Sequence, residues 1–102
     1  MYMDKVNLIP PHDTNAEVAV LGSFMIDPQA PFKIADQLTT DDFYHHNHKV
    51  IYESVLDLFE RHNPIDIVSV SNRLNEKKML ETVGGMSALT SFINSVPTAS
   101  NI

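Results

Sequence analysis

The chain has no cysteine and no tryptophan, and only three glycines and seven Lys and Arg among its 102 residues. Without cysteine there can be no disulfide framework, thiolate metal site or cysteine nucleophile, so stability has to come from packing. The basic residues are scattered, Lys77-Lys78 being the one adjacent pair, and thirteen Asp and Glu bring the formal net charge to −6. A surface of that sign is repelled by phosphate, which opposes direct DNA binding. Long apolar runs are also missing. The longest, Val18 to Leu21, falls far short of the roughly 18–20 residues that cross a bilayer, and Met1 to Pro11 lacks the apolar stretch of a signal peptide. A cytoplasmic location without membrane contact is therefore expected. Gly22, Gly84 and Gly85 form neither a G-x-G-x-x-G fingerprint nor a G-x-x-x-x-G-K-[ST] phosphate loop, so no cofactor site is expected.

What is present suffices for one core: 43% of the residues are hydrophobic, and a chain of this size can bury about 65% of its surface. Pro10-Pro11 disfavours helix before it, so residues 1–11 read as an extended tail. Residues 12–96 read as a helical domain and 97–102 as the start of a linker. Thr14 and Glu17 have capping-box spacing for a helix from about Asn15 to Ile26, apolar around much of its cylinder and with Glu17 as its one charge. Asp27-Pro28 ends it, and Pro31 opens a second helix, Phe32 to Leu38, with Phe32, Ile34, Ala35 and Leu38 apolar. Thr39 to Asp42 supplies caps for a short helical turn before Phe43-Tyr44.

The strongest periodicity runs from Asn47 to Arg61, where Ile51, Val55 and Leu58 follow i, i+4, i+7 and Tyr52, Leu56 and Phe59 repeat it one residue on. Asn63-Pro64 stops this helix. Asp66 can cap the next, Ile67 to Lys77. Its opening Ile67-Val68-Ser69-Val70 has strand-like composition, but the polar continuation and the shared face of Ile67, Val70, Ser71 and Leu74 favour helix. Gly84-Gly85 makes a tight turn, and Met86, Leu89 and Ile93 recur at i, i+3, i+7 in a last helix ending before Pro97. The expected fold is all-α, a compact orthogonal bundle of five or six short helices. Gly22 is expected to permit close approach of two helices.

Candidate chemistry is sparse. His45 and His48 lie three apart near Asp41 and Asp42, but two such His without a general-base Glu make an incomplete zinc site. The alternative is a solvated helix start with His48 packed locally. Adjacent Asp41 and Asp42 diverge on a helix and are explained by capping. Ser69, Ser71, Ser87 and Ser91 have no visible His and Asp partners. No catalytic, cofactor-binding or metal residue is assigned, and the residues alone describe an acidic helical interaction or regulatory module.

The order of the motifs says more. Pro10-Pro11, Ala16-Glu17-x-Ala19-Val20-Leu21-Gly22-Ser23 and Asp27-Pro28 are followed by Asp42-Phe43-Tyr44 with His48 and Ile51-Tyr52-Glu53. Pro64-Ile65-Asp66-x-Val68-Ser69, Val83-Gly84-Gly85 and Asn94-Ser95-Val96-Pro97-Thr98-Ala99-Ser100-Asn101-Ile102 come next. Over residues 10 to 102 this set resembles the N-terminal domain of DnaB-type replicative DNA helicases, specifically its globular head. The resemblance implies a parent that is a ring-shaped hexameric ATPase unwinding DNA in replication, with ATP and Mg²⁺ in a RecA-like motor domain beyond a helical hairpin and linker. It implies a head that self-associates in a collar and, as part of the primosome, receives the C-terminal helicase-binding domain of primase, with a helicase loader as a further partner. A head without its hairpin is expected to be a monomer or weak dimer. The resemblance gives Gly22, Phe43, Tyr44 and His48 structural roles and puts Ala88, Leu89 and Phe92 near a partner surface. The chain departs from the family pattern at Ala88 and at His45-His46.

Overall fold

The computed structural model describes residues 14–27, 29–34 and 37–96, so the tail at 1–11, Pro28, Ala35 and the linker at 97–102 lie outside the described residues. Among the described residues five α-helices and one 3₁₀ turn follow in order: α1 (Thr14–Ile26), α2 (Ala30–Ile34), the 3₁₀ turn Thr40–Asp42, α3 (His46–Glu60), α4 (Ile67–Glu76) and α5 (Gly85–Asn94). No strand occurs among the described residues.

The central helix α3 is the one whose periodicity is clearest, and it buries Val50, Ile51, Tyr52, Val55 and Leu58 on one side. Tyr52 anchors the core. Its ring packs against Phe43 at 4.9 Å and Phe24 at 5.5 Å between centroids, and its hydroxyl donates to the Leu38 carbonyl at 2.9 Å. Burial, with the charge of Asp42 adding, pushes that hydroxyl up to about 12, so it remains a donor throughout the neutral range. α4 forms as a helix, with Asp66 Oδ1 accepting from the Ser69 amide at 2.8 Å, and it buries Val70, Ser71 and Leu74. Asp57 on α3 ties it down, accepting from Arg73 Nε at 3.0 Å and Lys77 Nζ at 2.9 Å.

Four expectations need correcting. Thr14 is itself helical and not a cap before the helix, and Glu17 turns inward to be fully buried. The reciprocal half of a capping box is found at the 3₁₀ turn, where Asp42 Oδ2 accepts from the Thr39 amide at 2.7 Å. Helix α2 is described over Ala30–Ile34, Leu38 is buried outside any helix, and Phe32 is 68% exposed. On α5 the buried face is formed by Leu89 and Phe92, and Met86 faces outward. Gly84 and Gly85 have φ of 110° and 72°, a left-handed backbone that glycine adopts readily and that turns the chain into α5.

Helix α5 lies directly across α1 at Gly22. A Cβ there would fall on the Phe92 carbonyl group and 2.6 Å from Val96 Cγ2, so the crossing depends on the missing side chain. Gly22→Ala should therefore force the helices apart at a cost of about 1–3 kcal/mol, read as a lower urea midpoint; an unchanged midpoint would refute the close approach. Ser71 Oγ donates to its own helix at the Val68 carbonyl, 2.8 Å away, whereas the fully buried Ser54 Oγ has no partner among the described residues. Because an unsatisfied buried hydroxyl costs about 1–3 kcal/mol, Ser54→Ala should leave the midpoint unchanged or raise it.

Candidate functional site

The polar residues that the structure gathers are centred on Glu17. One turn into α1, its side chain has no exposed surface. Its Oε2 accepts from the Tyr44 amide at 2.7 Å, and its Oε1 accepts from His48 Nδ1 at 2.7 Å and from the His45 amide at 3.4 Å. The partners stand 27 to 31 residues away in the chain. Tyr44 and His45 precede α3 and His48 lies in its first turn, so one carboxylate joins the start of α1 to the start of α3.

Burial by itself pushes the Glu17 carboxyl up, but the Tyr44 amide, the His48 ring and the His45 amide together outweigh it and hold the group below its ordinary 4.5. An ionised carboxylate only accepts, so the shared proton sits on His48 Nδ1. Around this node Thr14 Oγ1 lies 2.6 Å from His45 Nε2. The His45 and His48 rings meet edge to face at 5.0 Å, and the far side of His48 meets Phe92 of α5 at 5.4 Å.

This arrangement organises structure more than it offers chemistry. His45 and His48 are brought together, but their nitrogens face Thr14 and Glu17, His46 is exposed, and Asp42 is held by Thr39. Among the described residues no group of three or more His, Asp or Glu is arranged to hold a metal ion. Phe43 is buried in the core and Tyr44 is 58% exposed, with its backbone, not its ring, tied to Glu17. Of the three residues expected near a partner surface, Leu89 is fully buried, Phe92 is 9% exposed and Ala88 is half-buried. Any contact made there reaches Ala88 and the rim of Phe92 before it reaches Leu89.

Sequence reasoning missed Glu17 as an organising residue. The signal available was its isolation, a lone charge in a helix otherwise apolar on several sides. Glu17→Ala would strand the His48 N–H and two amides and should cost about 3–5 kcal/mol. Because the folded-state value is depressed, the carboxylate's contribution is present above about 4.5 and is lost as pH falls through the lower folded value. Comparing Glu17→Gln with the parent chain between about pH 5 and pH 2 should show a shallower acid loss in the variant; parallel curves would remove Glu17 from the acid limb.

Comparison with known proteins identifies the family. The family model described as the DnaB-like helicase N terminal domain matches residues 9–102. The replicative DNA helicase DnaC of Bacillus subtilis is 45% identical over 92% of this chain and 21% of its own length. The replicative DNA helicase DnaB of Geobacillus stearothermophilus is 38% identical over the same shares. The chain thus spans about a fifth of the length of these relatives. Among solved structures, the crystal structure of the N-terminal domain of DnaB helicase from Mycobacterium tuberculosis superposes with a TM-score of 0.83 at 37% identity, covering 90% of this chain and 67% of that one. With the family model matching nearly the whole chain and the same helical head recurring in a solved relative, the chain belongs to the DnaB-like helicase N-terminal domain family.

Proposed function

We propose that this head is a protein-contacting element in the collar of a hexameric replicative DNA helicase, where it supports ring assembly and receives the C-terminal helicase-binding domain of primase. The observation that carries the proposal is the family match over residues 9–102, within relatives that are named replicative DNA helicases. The head then contributes contacts, and unwinding belongs to an ATP-dependent motor in the parent, where ATP and Mg²⁺ would be held. These 102 residues contain no phosphate loop with which to hold them. A helicase loader is a further partner on this reading.

The charge favours protein over DNA as the head's own contact. The net charge is −6, and two of its basic residues, Arg73 and Lys77, are already engaged by Asp57 and Glu76. A bacterial cytoplasmic setting at the replication fork fits the bacterial relatives, and no described helix is long and apolar enough to cross a membrane.

The proposed primase-facing surface is the outer edge of α5 around Ala88 and Phe92. Titrating the 102-residue chain with the primase C-terminal domain from the same source should give saturable binding. Ala88→Asp should weaken it about tenfold or more, equivalent to about 1.4 kcal/mol, without moving the melting temperature. Binding that is absent, or indifferent to this change, would count against the surface. In sedimentation the chain should run as a monomer or weak dimer, and a stable hexamer would contradict the expected need for a further self-association element.

A further inference from the structure

We draw no further inference here: the strongest candidate, the open apolar groove of about 640 Å³ beside α2 lined by Met25, Ile26, Phe32, Phe59 and Ile65, carries nothing because nothing in the structure shows what covers it.

Discussion

Glu17 carries its charge into the interior from the first turn of α1, and the segment leading into α3 is organised around it. A buried carboxylate is tolerated only when its lone pairs are met. Here the Tyr44 and His45 amides and the His48 ring meet them, so the backbone entering α3 is fixed by the same contacts that stabilise the anion. His45 is the N-cap of α3 and Tyr44 stands just before it, and amides held against a buried group need an acceptor. The buried acid and the helix start satisfy one another.

From that node the order spreads outward through contact. His48 leans on Phe92, and the Phe92 backbone is pressed against Gly22 at the crossing of α1 and α5. The position of α5, and hence of the edge proposed to meet a partner, is therefore set on one side by a carboxylate and on the other by the absence of a side chain. Tyr52, with Phe24 and Phe43 around its ring and Leu38 on its hydroxyl, fills the space between.

The far end of the head is built differently. There Asp57 engages Arg73 and Lys77, joining α3 to α4. An apolar groove lined by Met25, Phe32, Phe59 and Ile65 lies at the same end, beside α2. The edge proposed on α5 concerns protein contact, in keeping with a chain whose net charge of −6 disfavours phosphate.

The sequence by itself determined the elements whose causes are local. The repeat of Ile51, Val55 and Leu58 defines α3, Asp66 caps α4 within three residues, Gly84-Gly85 turns the chain into α5, and the order of short motifs identifies the family. Each of these is a relation between residues a few positions apart, or a pattern read along the chain. Tertiary structure alone decided the role of Glu17, because its partners come from 27 to 31 residues later and its spacing from Thr14 equally suits a capping box. It also decided that Phe92 and not Met86 faces inward and that Phe32 stays exposed, since an apolar residue's exposure depends on what packs across from it. The same holds for the groove, which exists only where the ends of helices distant in sequence converge.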